Sequence, residues 1–262
     1  MADGPWALRV LLLAIACAGA LSGGVRVQFR EGRPIVDGVY VNGHGPYRFL
    51  LDTGTNVNLI DPALAKMIGM AAKSDVELYS AVGTTMAMGS DDNEITLGPV
   101  HAGGQRFLLS GLDAMRGLIP DARGVLGQSF LSGFDYLIDV RGQRLEFGKQ
   151  DRSGNRAEFR MLNGRTAVAT SLGDLVLDSG VARLVLFGVV PDGGERREML
   201  TLAGSTKVGT VASRLAIEGH DIWRGSAVAM PDGTEPGVAG LLPLSLFRSI
   251  YVCNSEGYVV FD

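Results

Sequence analysis

The chain has 262 residues, of which 46% are hydrophobic and 37 are glycine, and its formal net charge at pH 7 is −4. This length is sufficient for one large domain or two small domains with real hydrophobic cores. A slightly acidic chain without a basic patch interleaved with aromatic residues does not fit a nucleic-acid-binding protein, so we expect no nucleic-acid partner.

The N-terminus has the pattern of a secretory signal peptide. Arg9 precedes an apolar run over residues 10–21, which ends in small residues and is short for a membrane span. We therefore assign residues 1–23 to a leader cleaved near Ala20, which predicts an exported protein, periplasmic or secreted. Two alternatives stay open: an uncleaved membrane anchor, and a lipoprotein leader lipidated on Cys17.

After the leader, the pattern predicts mainly β-strands. Apolar and polar residues alternate in short runs such as 36–41, with Gly and Asn turns between them. The clearest helix is predicted over residues 62–68, because Asp61 can cap its N-terminus, Pro62 suits the first turn and Gly69 follows its end.

Two similar tripeptides follow apolar runs: Asp52-Thr53-Gly54 in the first half and Asp178-Ser179-Gly180 in the second. An ionisable Asp at the end of a buried strand costs free energy unless nearby groups compensate it. A single copy is explained equally well as a turn, in which Asp bonds its own backbone and Gly takes a positive φ. Two copies suggest two carboxylates brought face to face, an arrangement suited to acid-base chemistry on a water molecule.

The surroundings of the tripeptides recur in the same order, with a Gly-Ser/Thr-Thr motif, an alternating stretch, a Gly-rich motif and a closing pair of strands. The matched motifs are 83–85 with 204–206, and 124–127 with 237–240. We interpret this as a two-fold internal duplication. It predicts one lobe over residues 24–150 and another over residues 151–262, joined by a polar linker at 149–155.

Other chemistries find little support. His44, His101 and His220 are isolated, and none is paired on one helix face or near paired cysteines, so we expect no metal site. The chain also lacks a phosphate-binding loop, a dinucleotide-binding glycine motif and a Gly-x-Ser-x-Gly elbow. We therefore expect no cofactor.

The apolar-apolar-Asp-Thr-Gly motif, followed about seventy residues later by apolar-apolar-Gly, resembles the aspartic protease superfamily. The segment over residues 39–52 is especially similar to bacterial retropepsin-like proteins. The resemblance implies an all-β fold of two pseudo-symmetric retropepsin-like β-barrel lobes, the acid protease fold, with few short helices. Since both lobes lie in one chain, as in pepsin-like members, it also implies a monomer.

The resemblance assigns the chemistry to Asp52 and Asp178. These two carboxyls would share a proton and activate a water molecule, which attacks the scissile carbonyl of a peptide or protein substrate.

Four neighbouring residues would support this pair. Thr53 and Ser179 correspond to the family's interlocking hydroxyls, and Gly54 and Gly180 would let the backbone approach the carboxylates.

The residues after the tripeptides depart from the family pattern, with Thr55-Asn56 in one half and Val181-Ala182 in the other. Thr55 can still donate a hydrogen bond near its carboxylate, whereas Val181 cannot. We therefore predict that Asp52 is the more acidic member and Asp178 the proton carrier.

The strands packed behind the two loops are expected at 125–127 and 238–240. Ala239 is small where the family usually has a larger apolar residue. This predicts looser packing behind Asp178.

A flap is expected to close over the substrate. The best candidate is the hairpin over residues 79–92, with Gly83 and Gly89 as flexible points. Its counterpart over residues 202–211 is either a second flap or an edge hairpin. The predicted flap residues are Tyr79, Gly83, Thr84 and Thr85.

The leading hypothesis is an exported aspartic endopeptidase. The alternative is a catalytically inactive retropepsin-like domain that binds peptides or envelope components with the same cleft. The presence of both Asp residues and both adjacent hydroxyls favours activity. A purely structural β-domain would leave the paired Asp-Gly motifs unexplained.

Overall fold

The computed structural model describes residues 24–72, 74–80, 83–193, 196–201, 204–231 and 235–262. The predicted leader over residues 1–23 lies outside these described residues, and so do the tips of the two predicted flap hairpins at 81–82 and 202–203. In the part of the chain that is described, no helix is both long enough and apolar enough to cross a membrane.

The first half of the chain is built mainly from strands. They are β1 (Val25–Arg30), β2 (Arg33–Val41), β3 (His44–Leu51), β4 (Asn58–Ile60), β5 (Ser74–Ser80), β6 (Gly83–Leu97), β7 (Val100–Leu109), β8 (Gly124–Leu126), β9 (Tyr136–Asp139) and β10 (Arg144–Phe147). Three short helices interrupt them: α1 (Pro62–Met67), α2 (Asp113–Arg116) and α3 (Gln128–Leu131).

The second half has a similar series of strands. They are β11 (Asn155–Leu162), β12 (Arg165–Thr170), β13 (Gly173–Asp178), β14 (Val185–Phe187), β15 (Arg197–Thr201), β16 (Gly204–Ile217), β17 (His220–Met230), β18 (Gly240–Pro243), β19 (Ser249–Cys253) and β20 (Tyr258–Phe261). A 3-10 helix spans Leu244–Leu246. The predicted all-β fold with few short helices is confirmed.

The two halves pair their strands in the same way. In the first half, β3 runs parallel to β8, β8 antiparallel to β4, and β4 parallel to β7. In the second half, β13, β18, β14 and β17 repeat this pattern. The same pairing pattern thus occurs in both halves, and the segment between β10 and β11 overlaps the predicted linker.

A six-stranded antiparallel sheet joins the halves, in the order β1–β10–β9–β19–β20–β11. Its two central strands come from different halves, and Ile138 of β9 pairs with Ile250 of β19. Both side chains are buried in one hydrophobic cluster that also takes in Leu51 and Leu177, the residues before the two tripeptide Asp residues. The halves therefore share a core directly behind the tripeptides.

The helix predicted after Asp61 is confirmed as α1. The Asp61 side chain accepts a hydrogen bond from the Ala63 N–H at 2.7 Å, which satisfies one of the free donors of the first turn. Gly69 follows the helix with a φ of +69°.

The predicted match between the two Gly-rich motifs is wrong by three residues. Gly124 of β8 lies opposite Phe49, and the corresponding position in β18 is Gly240, which lies opposite Leu175. The strand behind Asp178 is therefore Gly240–Pro243 and not residues 238–240.

The expected looser packing at Ala239 is wrong for the same reason, because Leu242 takes the place behind Asp178. Leu242 pairs with Leu177 and is fully buried.

Close backbone contacts explain the glycine at both positions. A Cβ on Gly124 would overlap the Leu59 carbonyl oxygen, and a Cβ on Gly240 would overlap the Val185 carbonyl oxygen. Leu59 and Val185 occupy corresponding places in β4 and β14.

We predict that Gly240→Ala lowers the free energy of unfolding by about 1–3 kcal/mol, because backbone must shift to admit the methyl group. Urea unfolding measures the change. Gly103→Ala is the matched control, since nothing lies within 4 Å of a Cβ built there. Equal stability of the two variants would contradict the assigned register.

Candidate active site

The two tripeptides lie at the ends of corresponding strands. Asp52 follows β3 and Asp178 ends β13, and both are 6% exposed. The Asp52 N–H donates to the Leu126 carbonyl at 2.9 Å, which extends the parallel pairing of β3 with β8 by one residue. The parallel neighbours β8 and β18 thus place both carboxyls at the interface between the two halves, which we call the seam.

Hydroxyl groups cross the seam and bind the two loops together. Thr53 Oγ1 donates to the Leu177 carbonyl at 2.8 Å and accepts from the Ser179 N–H at 3.0 Å. Ser179 Oγ donates to the Leu51 carbonyl at 2.6 Å and accepts from the Thr53 N–H at 2.9 Å. Both side chains are fully buried. This is the interlocked geometry that the family resemblance implied.

Each carboxyl is held by its own loop and packs on the glycine of the other loop. Asp52 Oδ1 accepts from the Gly54 N–H at 2.9 Å, and Asp178 Oδ1 accepts from the Gly180 N–H at 2.7 Å. A Cβ on Gly180 would lie 2.6 Å from Asp52 Oδ2, and one on Gly54 would overlap the Asp178 carboxyl. Glycine is required in both loops because any side chain would displace the opposing carboxyl.

Burial raises the pKa of both carboxyls, because it disfavours the charged form. At Asp52 the hydrogen bond from the Gly54 N–H opposes this effect. At Asp178 the charge of Asp52 adds to it, so the pKa of Asp178 lies well above its usual range. Which of the two carboxyls carries the proton stays a prediction.

The expected reason for that order is not found. Thr55 reaches Asp52 only through its backbone, where its N–H lies 3.4 Å from the Asp52 carbonyl oxygen. Its Cγ2 methyl points instead toward Gly127. Val181 packs at the edge of an apolar cluster in the second half. A Thr55 hydroxyl therefore does not make the two carboxyls different.

Sequence reasoning missed a pair of arginines beside the loops. Arg165 Nη1 donates to the Gly54 carbonyl at 3.2 Å, and Arg33 Nε donates to the Gly180 carbonyl at 2.7 Å. Each arginine begins the second strand of a hairpin and reaches the loop of the other half. A signal was present, since Gly-Arg occurs at 32–33 and again at 164–165.

Gln128 was also missed. Its side chain is 2% exposed, and its Nε2 donates to the Thr53 carbonyl at 3.0 Å. Leu244 stands at the corresponding position of the second half, directly after β18. Gln128 therefore braces only the first tripeptide.

The predicted flap is a β-hairpin formed by β5 and β6. Tyr79 pairs with Thr84, and Ser80 pairs with Gly83 next to the two tip residues. β15 and β16 form its counterpart with the same tip length, since Thr201 pairs with Gly204. Contact of Tyr79, Gly83, Thr84 and Thr85 with a substrate stays a prediction.

Comparisons with known proteins agree with this geometry. Residues 38–133, within the first half, match the family model described as "gag-polyprotein putative aspartyl protease". Similar solved structures include an aspartic proteinase from Irpex lacteus, which is 12% identical with a TM-score of 0.55 over 91% of this chain and 96% of that chain. The resemblance to the aspartic protease superfamily is confirmed.

A second similar solved structure is basic 7S globulin from soybean. It is 12% identical, with a TM-score of 0.55 over 91% of this chain and 94% of that chain. At this identity the likeness concerns the fold alone. A search of curated proteins finds no match.

We predict that Asp178→Asn becomes increasingly more stable than the wild-type protein as pH rises from about 3 to 7. When folding raises the pKa of a carboxyl, the free energy of unfolding falls as pH rises above the pKa of that group in the unfolded chain, about 3.9. The reason is that the carboxyl ionises first in the unfolded state. Each unit by which folding raises the pKa corresponds to about 1.4 kcal/mol. Urea unfolding across this pH range measures the trend.

The control is Asp113→Asn, whose side chain is 89% exposed, and which reports the effect of the same substitution at the surface. A difference between Asp178→Asn and the wild type that stays constant with pH would contradict the raised pKa of Asp178.

Proposed function

We propose that this protein is an aspartic endopeptidase, which hydrolyses peptide bonds with a water molecule activated between Asp52 and Asp178. The observation that carries the proposal is that two buried carboxyls face each other across the seam. Each carboxyl packs against the glycine of the opposing loop. Two like charges so close do not both ionise cheaply, so the pair holds one proton over a wide pH range.

The proposed reaction uses both states of the pair. Ionised Asp52 takes a proton from the water, whose oxygen attacks the scissile carbonyl carbon, while protonated Asp178 donates its proton to the carbonyl oxygen. The tetrahedral diol then collapses: Asp178 takes back a hydroxyl proton and Asp52 gives its proton to the leaving amine. The pair returns to its starting state, and one water is consumed for each bond cleaved.

The substrate in this proposal is a peptide or an extended segment of a protein. Hairpin strands offer backbone donors and acceptors along which an extended chain can pair, as in β-strand addition. We assign the β5–β6 hairpin as the flap, and the matching register of β15–β16 supports a second flap from the other half.

The inactive alternative accounts less well for the site. Two carboxyls that are 6% exposed and whose pKa values are raised by burial oppose folding at neutral pH. A domain that only binds peptides would be more stable with amides in their place. Keeping such a costly pair is typical of active sites.

The exported location and the monomeric state are part of the same proposal. The sequence pattern of residues 1–23 supports export. A monomer is supported by the fact that one chain supplies both carboxyls and both interlocked hydroxyls.

We predict that Asp52→Asn and Asp178→Asn each reduce cleavage of a peptide library by about 10²–10⁴-fold, because each removes one member of the acid-base pair. Mass spectrometry of the library gives the cleavage rates, and a statine-type inhibitor should block the wild-type protein.

Asp113→Asn serves as the control and should cleave at the wild-type rate, since its side chain is 89% exposed and belongs to α2. Cleavage that survives both active-site substitutions would rule out the proposed mechanism. Specific peptide binding without cleavage by the wild-type chain would favour the inactive alternative.

A further inference from the structure

Arg165 is a partly buried cation at the edge of the carboxyl pair. It begins β12 in the second half, and its side chain is 13% exposed. Its Nη1 donates to the carbonyl oxygen of Gly54, the residue that packs on the Asp178 carboxyl. One guanidinium thus contacts the backbone of the first loop and lies close to the carboxyl of the second.

Glu235 holds this guanidinium in place. Arg165 Nη2 forms an ion pair with Glu235 Oε1, and the Glu235 side chain is 15% exposed. Asn163, at the turn before β12, also donates to Glu235 Oε1, at 2.6 Å. A partly buried ion pair with an additional hydrogen bond is fixed more firmly than a flexible surface pair.

The corresponding arginine of the first half has a weaker partner. Arg33 bonds the Gly180 carbonyl, but its Nη1 lies 3.4 Å from Glu31, whose side chain is 68% exposed. An ion pair that is open to solvent contributes little. Of the two arginines, Arg165 is therefore the one with a partly buried counter-charge.

The charge of Arg165 acts on both carboxyls. It opposes the effect of burial on the pKa of Asp52 and on that of Asp178. A guanidinium stays protonated at any pH at which such a site works, so its effect is permanent. Besides the two carboxyls themselves, Arg165 is the charged side chain that acts on both members of the pair. It is paired with Glu235, and the corresponding Arg33 is paired with Glu31.

We propose that Arg165 is a positioning residue: it holds the Gly54 carbonyl and sets the pH range in which the Asp52–Asp178 pair works, with Glu235 fixing its orientation. The proposal rests on the proposed protease function, since the pH range is that of peptide cleavage. It predicts opposite effects for the two members of the ion pair.

The test is the pH profile of kcat/KM for a cleaved peptide. The acid limb reports ionisation of the first carboxyl and the alkaline limb loss of the shared proton. Arg165→Met removes the positive charge and should move both limbs upward by about one pH unit. Glu235→Gln leaves Arg165 without its counter-charge and should move both limbs downward. Arg165→Lys keeps the positive charge, so both limbs of the profile should lie at their wild-type pH values while kcat/KM is lowered.

Arg160→Met is the matched control. It is the same substitution on the neighbouring strand β11, at a side chain that is 60% exposed and paired with Asp174. Limbs that move equally in Arg160→Met and Arg165→Met, or that stay in place in both Arg165→Met and Glu235→Gln, would overturn the proposal. Equal limb shifts in the Lys and Met variants would also overturn it.

A second readout does not depend on cleavage. Carbon-13 NMR of Asp carboxyls follows Asp178 in Asp52→Asn and Asp52 in Asp178→Asn. Adding Arg165→Met to each should raise the pKa of the remaining carboxyl, and an unchanged pKa would overturn the charge effect. If the pKa rises but the wild-type chain cleaves no peptide, the proposed function fails while the effect of Arg165 stands.

Discussion

The structure depends on placing two carboxyl groups together in the seam between two halves of one chain. A buried carboxylate is costly, and two adjacent carboxylates repel each other, so the arrangement is tolerable only when the pair shares a proton. The opposing loops bring the two carboxyls close enough to share a proton, because each carboxyl packs on the glycine of the other loop. Neither half can form the site alone. The candidate active site is therefore part of the interface between the halves.

The features that the sequence predicts correctly are those that depend on local sequence patterns. The two tripeptides, the capped helix α1 and the paired hairpins each depend on residues close together in the chain. The Gly-rich motifs were matched wrongly because Gly127 and Gly240 look equivalent in sequence. The parallel register makes Gly240 equivalent to Gly124. The register of the parallel pairing decides which glycines correspond, and that pairing is not local.

The contacts that differ between the two halves are also nonlocal. The expected difference was the residue directly after each tripeptide, whereas the difference found is the partner of the arginine beside each loop: Arg165 is paired with partly buried Glu235 and Arg33 with exposed Glu31. Arg165 lies more than a hundred positions from Gly54 in the sequence. Gln128 adds to the difference, because it braces the Thr53 carbonyl and has an apolar counterpart, Leu244. The repeated Gly-Arg dipeptide was visible in the sequence, but its target was not, because the strand order of both halves had to be known first.

Fusion of the two halves in one chain is what makes such asymmetry possible. In a symmetric dimer each contact occurs twice in identical surroundings, so the two carboxyls are equivalent and either can hold the proton. Here Arg165 is paired with a partly buried glutamate, whereas Arg33 is paired with an exposed one. A substitution in one half therefore has no equivalent in the other half. In the proposed mechanism, the position of the proton, and with it the roles of Asp52 and Asp178, follows from the unequal charge and hydrogen bonding of the two halves.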